Sequence, residues 1–380
     1  MRQSPFHKEY MKRFLLLSLA LVCALAVGAG AYLYHPLGQM PEGERLQIVR
    51  ASPHYRDGVF VNEVASPPRP GGFAFIWAVV RGRFEPIDRP APPAPLPSVK
   101  TDLKALPPDQ DTVIWLGHSS FFVQIGGKRL LVDPVFSDYA APLPGMVRAF
   151  EGTSLYKTED MPEIDVILIT HDHYDHLDYA SMKGLESKTR LVITGLGNGA
   201  HLAHWGYPAE KIREADWHAS LSIAPGLQVH VLPAQHYSGR FMKRNQSLWV
   251  SFALQTAQRQ LYFSGDTGYG PHFDAIAKRF GSFDLVALDA GQYNVRWADI
   301  HMTPEEASRA AEVLGARTLL TAHAGRFTLA RHAWDEPFVR ALAASNGKPY
   351  RLLTPLIGEP VRLGETDQRF RHWWTGVEQD

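Results

Sequence analysis

The sequence predicts an α/β domain that follows an N-terminal apolar segment long enough to cross a membrane. Three observations carry this prediction. Apolar strand patterns alternate with helix patterns in the second half of the chain, polar residues able to bind a metal follow most of those strands, and residues 14–34 carry no charge. Alternating strands and helices favour a sheet covered by helices. The 380 residues allow one large α/β unit with extensions, since length is only a soft guide to domain count.

The apolar segment FLLLSLALVCALAVGAGAYLY at 14–34 has the roughly 20 residues that a bilayer requires. Two basic residues directly precede it, so the positive-inside tendency places residues 1–13 in the cytoplasm and the rest of the chain on the extracytoplasmic, periplasmic side. The alternative is a signal peptide cleaved near AGA at 29–31, which would release the protein into the periplasm. Met11 is an alternative start.

Charge and cysteine content exclude two classes of function. Lys plus Arg and Asp plus Glu total 39 each, so the formal net charge is zero and no electrostatic footprint for nucleic acid is present. We therefore expect no nucleic-acid partner. The one cysteine, Cys23, rules out an internal disulfide, and its apolar neighbours favour a small hydrophobic residue over a nucleophile. The oligomeric state leaves no mark in the sequence.

Residues 35–106 are predicted to form a proline-rich linker and wrapping extension, with the main domain at 107–380. The stretches ASPPRPGG and IDRPAPPAPLP cannot lie inside a helix, because proline lacks the backbone N–H and clashes with the preceding turn. The stretch SPHYRDGVFVN at 52–62 is less linker-like, and we expect it to pack on the main domain.

The main domain opens with three predicted strands, TVIWLG, SFFVQI and KRLLVDP, the last two joined by a Gly-Gly turn as a hairpin. Further strands are predicted at DVILIT, RLVITG, LQVHVLPA, LWVSFAL, QLYFSGD, DLVALDA and ARTLLTAH. Helices are predicted at HFDAIAKRF and TPEEASRAAEVLG. In the second helix Thr303 is the predicted N-cap, Pro304 occupies the first helical position and Glu306 completes a capping box.

The nonapeptide THDHYDHLD at 170–178 places three histidines and three acids directly after a predicted strand. Crowded like charges and imidazoles are unfavourable unless a cation balances them, and a divalent metal is the commonest candidate. Other strands also end in residues that bind metals, namely His236, Asp266 and His323. Because strands deliver such side chains from rigid supports to one edge of a sheet, we expect them to converge. Imidazole and carboxylate without thiolate suit Zn²⁺ or a similar ion in an open site.

The order His-x-His-x-Asp-His, then single His, Asp and His, resembles the signature of the metallo-β-lactamase superfamily, over about residues 108–360. The resemblance implies a four-layered αβ/βα sandwich, which makes 107–380 a metallo-hydrolase domain, and two zinc ions per chain. It implies that the first zinc is bound by His171, His173 and His236, the second by Asp175, His176 and His323, and that Asp266 bridges them.

Within that superfamily the chain is most similar to the N-acylphosphatidylethanolamine-hydrolysing phospholipase D group and its bacterial relatives, which include the ascorbate-6-phosphate lactonase type. The stretches that carry this similarity are WLGHSSFFVQIGGKRLLVDPVFS, AQHYSGR, SGDTGY, GQYN and HMTPEEA. One departure is HAGRF at 323–327, where His-Trp-Gly is expected, so that Ala324 stands in place of a large aromatic. The resemblance implies that a hydroxide bridging the two zinc ions cleaves a phosphodiester, with Asp175 and Asp266 orienting it.

Three further residues are predicted at the substrate. His118 follows a strand, and the resemblance favours a position at the site. His301 lies in HMTPEEA, which is near the substrate in the phospholipase group, and is predicted to act in binding and catalysis. Arg240 follows a predicted metal ligand closely enough to hold a phosphate. An ordinary loop position is the alternative for all three. Asp133, after the strand LLV, is predicted either to steady a ligand histidine or to cap the following turn.

Three functions agree with these features. The leading hypothesis is a membrane-anchored binuclear zinc hydrolase that cleaves a phospholipid such as an N-acyl phosphatidylethanolamine. The second is a lactonase or other ester or amide hydrolase acting on a soluble metabolite. The third is a non-catalytic metal-binding protein of the envelope. Iron or manganese in place of zinc stays open for each of them.

Overall fold

Two seven-stranded mixed sheets form the body of the protein. The computed structural model describes residues 5–67, 77, 88–240 and 243–377. The strands are β1 Tyr55–Arg56, β2 Val59–Phe60, β3 Thr112–Trp115, β4 Phe121–Ile125, β5 Lys128–Val132, β6 Ile164–Ile169, β7 Thr189–Gly195, β8 Ile212–Ala215, β9 Ser220–Ala224, β10 Leu227–Leu232, β11 Ser251–Gln255, β12 Gln260–Phe263, β13 Leu285–Asp289, β14 Thr318–Ala322, β15 Arg351–Leu353 and β16 Pro360–Arg362.

Among the described residues, two α-helices precede both large sheets in the chain, and the others lie between their strands. The α-helices are α1 Pro5–Tyr34, α2 Gly43–Ala51, α3 Tyr179–Leu185, α4 Gly199–His204, α5 His272–Phe280, α6 Pro304–Val313 and α7 Glu336–Ala344. Short 3₁₀ helices occur at Thr158–Asp160, Glu186–Lys188, Ala209–Lys211, Val295–Trp297 and Trp373–Gly376.

Both large sheets repeat the same pairing pattern. The first has the order β16-β3-β4-β5-β6-β7-β8, antiparallel from β16 to β5 and parallel from β5 to β8. The second has the order β15-β14-β13-β12-β11-β10-β9, antiparallel from β9 to β12 and parallel from β12 to β15. The predicted hairpin of β4 and β5 is present, and its turn residues Gly126 and Gly127 adopt φ of 57° and 70°, which glycine tolerates best.

Three apolar layers hold the sheets and helices together. The strand IDVILI is almost continuously apolar because β6 is buried on both faces, as the interior strands of covered sheets are. Val166 and Leu168 face the other sheet, whereas Ile167 packs towards the helix side. The layer between the sheets includes Val123, Leu130, Val229, Phe252 and Phe263. The layer under α3 and α4 includes Met182, Leu185 and Leu202. The layer under α5 and α6 includes Phe273, Ile276, Ala307 and Ala311. The predicted α/β class and the four layers are confirmed.

One predicted strand is shorter than its apolar pattern. LWVSFAL forms a strand only at Ser251–Gln255, because two of the three residues before it bond to loops of the other sheet. Leu248 N donates to Leu196 O at 2.7 Å and Val250 N donates to Thr170 O at 2.9 Å. These bonds connect the second sheet to the loops at the ends of β6 and β7.

The helix α1 begins before the predicted apolar segment and ends with it. An 18-residue window within its stretch Glu9–Tyr34 has a mean hydropathy of 2.4 and is not buried against the rest of the protein. Length and composition make it a candidate membrane span, and a signal sequence shares these properties.

The chain between α1 and the sheets packs in part on the main body. Val49 in α2 and Phe60 in β2 are fully buried in the core between the sheets. The expectation that 52–62 packs on the main domain is confirmed. Two parts of the proline-rich linker, 68–76 and 78–87, lie outside the described residues.

The capping box at the start of α6 is confirmed and provides a test of the fold. Thr303 Oγ1 accepts a hydrogen bond from Glu306 N at 3.2 Å, and Glu306 Oε2 accepts one from Thr303 N at 2.8 Å. We expect Thr303→Ala to lower the free energy of unfolding by about 1 kcal/mol, because the first turn loses a cap. Thr303→Ser retains the hydroxyl and should unfold at the wild-type urea midpoint. Equal midpoints for the Ala and Ser variants would contradict this assignment.

Candidate metal centre

The ends of four strands converge at one edge between the two sheets. His171 and His173 follow β6, His236 follows β10, Asp266 follows β12 and His323 follows β14. Three groups of potential ligand atoms form there among the described residues, each within 4.8 Å. Two of them together contain all seven predicted ligands, and the third combines Asp266 and His323 with Asp289 and His301. The first group is His171, His173, His236 and Asp266, and the second is His118, Asp175, His176 and His323. All seven residues predicted as ligands are therefore brought together, divided as the resemblance implies.

In the first group three ring nitrogens face one centre. His173 Nδ1 lies 2.9 Å from His171 Nε2 and 3.3 Å from His236 Nε2. Asp266 Oδ2 lies 3.7 Å from both Nε2 atoms. Spacings of this size between donor atoms suit a tetrahedral ion with metal–nitrogen bonds of about 2.0–2.1 Å.

The outer nitrogens of His171 and His236 are held by hydrogen-bond acceptors, whereas His173 Nε2 has no partner among the described residues. Thr170 Oγ1 donates to Asp133 Oδ2 at 2.6 Å, so it is left to accept from His171 Nδ1 at 3.0 Å. His236 Nδ1 donates to Ile300 O at 3.1 Å. A proton on each outer nitrogen leaves a lone pair on the inner one, which is the tautomer that binds a metal.

In the second group carboxylates hold the outer nitrogens of His176 and His323. His176 Nδ1 lies 2.7 Å from Asp133 Oδ2, and His323 Nδ1 lies 3.2 Å from Asp289 Oδ1. Of the two alternatives for Asp133, the structure favours the one in which it steadies a ligand histidine. Sequence reasoning missed Asp289. The signal was present, since Asp289 ends the strand DLVALDA as the predicted ligands end theirs.

Asp266 reaches both groups. Its Oδ1 lies 3.1 Å from His176 Nε2, and its Oδ2 lies 3.3 Å from His323 Nε2 as well as facing the first group. Asp175 Oδ2 lies 3.1 Å from His323 Nε2 on the second side only. This placement is the one that a bridging ligand needs.

His118 lies in the second group but is fully buried. Its Nε2 is 2.9 Å from Asp175 Oδ2. Its backbone, at φ 55°, pairs with that of Ala324, since His118 N donates to Ala324 O and His323 N donates to His118 O, each at 3.1 Å. The contact supports a role in orienting Asp175 and joining the two sheets at the site, whereas contact with the substrate stays a prediction.

His301 lies beside both groups. Its Nδ1 is 2.8 Å from Asp289 Oδ2, and its ring centroid lies 4.9 Å from those of His236 and His323. The side chain is 10% exposed, more than those of His118, His171, His176, His236 and His323, and His173 is also partly exposed. A carboxylate that fixes one ring nitrogen leaves the other to exchange a proton.

The structure does not support the prediction that Arg240 holds a substrate phosphate. Arg240 is buried, and its Nη1 donates to Asp172 O at 2.7 Å and Leu177 O at 2.6 Å. Its Nη2 donates to Pro36 O at 2.7 Å. Backbone carbonyls thus occupy the guanidinium of Arg240. Its side chain points inwards to the loop that carries the motif at 170–178.

The five predicted histidine ligands fall into two classes, because burial and nearby charge shift their pKa values in opposite directions. Burial, strengthened by repulsion among the rings, holds the pKa values of His171 and His236 well below 6.5. Burial likewise lowers the pKa of His173 to about 4. Burial also opposes the charged form of His176 and His323, but neighbouring carboxylates outweigh it. They raise the pKa of His176 well above 6.5 and that of His323 to about 10.

The donor set fits a divalent cation. Asp266 Oδ1 and His176 Nε2 are buried and have no hydrogen-bond partner among the described residues, although they lie 3.1 Å apart. A cation held between them would satisfy both atoms. Imidazole nitrogens and carboxylate oxygens together suit zinc and similar divalent ions.

Comparison with known families agrees with this geometry. Residues 128–324 match the family model described as the beta-lactamase superfamily domain. The chain belongs to the beta-lactamase superfamily. An uncharacterized protein of Mycobacterium tuberculosis is 37% identical over 367 residues, covering 92% of this chain and 96% of the relative. Together with the fold, this makes the chain a metallo-hydrolase of that superfamily.

Two further relatives have more specific names. The N-acyl-phosphatidylethanolamine-hydrolyzing phospholipase D 1 of Caenorhabditis elegans is 31% identical over 232 residues, 57% of this chain and 64% of that protein. The outer membrane protein RomA of Klebsiella pneumoniae is 56% identical over 100 residues, 26% of this chain and 76% of that protein.

A solved structure has the same fold. Igni18, a metallo hydrolase of the archaeon Ignicoccus hospitalis, superposes with a TM-score of 0.53 at 19% identity, covering 66% of this chain and 97% of that chain. The predicted membership of the superfamily and the metallo-β-lactamase fold are confirmed.

We expect Asp289→Asn to lower metal affinity by about 10- to 100-fold, because the carboxylate that orients His323 and His301 becomes a neutral amide. Competition with a chromophoric chelator measures the affinity. Asp274→Asn, an exposed position on α5, is the matched control and should bind metal as the wild type does. Equal affinities for the two variants would refute the assignment of Asp289.

Metal binding should release protons near neutral pH. The raised pKa values of His176 and His323 keep both protonated at pH 7 in the apoprotein, and a cation must displace those protons. Affinity should therefore rise with pH from about 7 towards 10. Calorimetric titrations in buffers of different ionisation enthalpy measure the protons released, and a binding heat that does not depend on the buffer would contradict this expectation.

Proposed function

We propose that the protein is a binuclear zinc hydrolase that cleaves a phosphodiester of a phospholipid, in the manner of an N-acyl phosphatidylethanolamine phospholipase D. One observation carries the proposal: Asp266 faces two separate groups of histidine and carboxylate ligands at the same edge of the sheets. The two groups would hold one ion each, with His171, His173 and His236 on the first and Asp175, His176 and His323 on the second.

If these residues hold two ions, the metal would supply a nucleophile from water at neutral pH and would stabilise negative charge on the attacked and leaving oxygens. The chain itself has to place these charges and the water. Asp266, between the groups, and Asp175, fixed by His118 at 2.9 Å, are the acids that would orient the water towards the substrate. Both stay ionised although they are buried, because neighbouring histidines outweigh the effect of burial and lower both carboxyl pKa values.

His301 is the residue that would exchange a proton with the substrate. Asp289 fixes its Nδ1, while its partial exposure leaves it nearer to solvent than the buried ligands. This pair of residues resembles the imidazole–carboxylate arrangements that act as general acids and bases. A nucleophilic thiol is not required, since the one cysteine lies in α1.

A lipid substrate is supported by exposed apolar residues in the segments that follow three of the strands ending at this edge. Leu143 and Met146 follow β5, Val295 follows β13 and Leu329 follows β14, with exposed fractions of 41%, 50%, 94% and 37%. Large exposed apolar side chains near a site favour contact with apolar ligands or membranes. The relative in Caenorhabditis elegans whose name gives this lipid as its substrate supports the same class.

The proposed location is the extracytoplasmic face of a membrane, with α1 as anchor and the metallo-hydrolase domain at 107–380 in the periplasm. The basic residues before the apolar stretch support this orientation. The relative named as an outer membrane protein supports an envelope location. Cleavage of α1 as a signal, with release into the periplasm, is the alternative.

The second candidate substrate is a lactone or another soluble ester or amide, favoured by Ala324. Phospholipase-like sequences are expected to carry a tryptophan at this position, and here a buried alanine stands next to His323. A smaller side chain beside a metal ligand changes the shape of the pocket that a substrate enters.

Zinc-loaded full-length protein in detergent should release phosphatidic acid from N-acyl phosphatidylethanolamine faster than it opens lactones or hydrolyses a chromogenic cephalosporin. Asp266→Asn should abolish this turnover, because it removes the acid shared by both groups, whereas Asp274→Asn should not change it. Strong lactone turnover without lipid turnover would overturn the substrate class. Absence of bound metal and of all turnover would instead indicate a non-catalytic envelope protein.

A further inference from the structure

The segment at 35–39, directly after α1, lies on a site built by three side chains of the main body. Trp205 Nε1 donates to the first carbonyl of the segment at 2.8 Å. Arg240 Nη2 donates to the second carbonyl at 2.7 Å. The last backbone N–H of the segment donates to His201 Nδ1 at 3.0 Å. All three side chains are buried, so this is a formed site and not a loose surface contact.

Ring contacts extend the same docking site. His35 stacks on Tyr179 with centroids 5.5 Å apart and planes 7° apart. Tyr34, the last residue of α1, packs edge-on against His204 at 4.7 Å, and its carbonyl lies 3.2 Å from His204 Nε2. The end of α1 therefore contacts α4, and the residue after it contacts α3; these are the two helices that follow β6 and β7.

Two of the side chains that hold the segment also hold the loop of the metal motif. Arg240 Nη1 donates to the carbonyls of Asp172 and Leu177, which stand on either side of 173–176. His201 Nε2 lies 3.5 Å from Asp172 Oδ2. One guanidinium thus connects the segment after α1 to both ends of the stretch that carries three of the proposed ligands.

We propose that the segment at 35–39 is a structural part of the metal centre. Through Arg240 and His201 it holds the loop at 172–177 in the conformation that binds metal, and these two are positioning residues of the reaction. The inference rests on the proposed ligands of the loop but not on the proposed substrate.

The physical basis is the burial of donors that would lose their acceptors. If the segment left its site, the N–H groups of Arg240 and Trp205 that face it would remain buried or need water to enter beside the loop. A buried donor without an acceptor is unfavourable, and more so on a charged group. Occupation of the site and order in the loop are therefore linked. A signal cleavage near 29–31 would leave the segment in the mature chain, so the link holds with or without α1.

Gly38 offers a sharp test, because it lies inside the segment at φ 71° and a Cβ there would overlap His201 Nδ1. Gly43 has a similar backbone, φ 54°, but a Cβ there meets nothing within 4 Å. Gly38→Ala and Gly43→Ala thus carry comparable backbone strain, and only the first disturbs the docking site. The pair separates the effect of docking from the effect of losing a glycine.

Both variants are prepared as full-length protein in detergent, and two quantities are measured. The first is amide hydrogen exchange of peptides covering 172–177 without metal, and the second is zinc affinity by chelator competition. We expect Gly38→Ala to exchange about 10-fold faster in this loop and to bind zinc about 10-fold more weakly, with peptides from β10 and β11 unchanged. Gly43→Ala should match the wild type in both.

A milder variant covers the case in which Gly38→Ala does not fold. Trp205→Phe keeps an aromatic ring but removes the N–H that bonds the first carbonyl of the segment, and it should change both quantities in the same direction by a smaller factor. Loop exchange and zinc affinity that do not differ between the Gly38 and Gly43 variants would overturn the inference. Because loop exchange is measured without metal or substrate, it stays informative even if the proposed hydrolase activity is absent.

Discussion

The structure depends on how the negative charges of four buried carboxylates are compensated. Asp133, Asp175, Asp266 and Asp289 are almost completely enclosed at one edge of the sheets. Burying an ionised carboxylate costs several kcal/mol unless partners compensate, so the surrounding groups are under strong constraint. Histidines, backbone amides and threonine supply part of the compensation. The inward-facing atoms that lack partners are the ones that a cation would satisfy, which relates the fold to metal chemistry.

The repeated sheet pattern explains why such a centre can be assembled at all. Each sheet changes from antiparallel to parallel pairing, and strands of both sheets end at the shared edge. The backbones must approach closely there. A Cβ at Gly291 would overlap the carbonyl of His323, so the loop after β13 can pass beside this ligand only with glycine. The pairing of His118 with Ala324 closes the same junction from the first sheet.

The sequence was sufficient to predict which residues meet, but not how each side chain is used. The ligands were predictable because each follows an apolar strand, and strand ends of one sheet edge lie together. Asp289 follows the same rule, yet its role was missed. Its spacing in the sequence does not distinguish an acid that hydrogen-bonds a ligand histidine from an acid that simply lies in a loop. Asp133 stayed undecided for the same reason. The prediction that Arg240 contacts the substrate rests on its short sequence distance from His236. The direction of its side chain depends instead on carbonyls of segments more than 60 positions away.

That buried arginine also relates the N-terminal helix to the proposed substrate. Tyr34 ends the candidate membrane span, and the next residue stacks on Tyr179, which is three positions beyond His176. If α1 lies in a bilayer, then the connection to the main body is too short and too well bonded to act as a flexible tether. The helices that follow the metal motif would be held close to the membrane surface. Such an arrangement favours a substrate that is itself in the membrane, because a soluble metabolite would gain nothing from it.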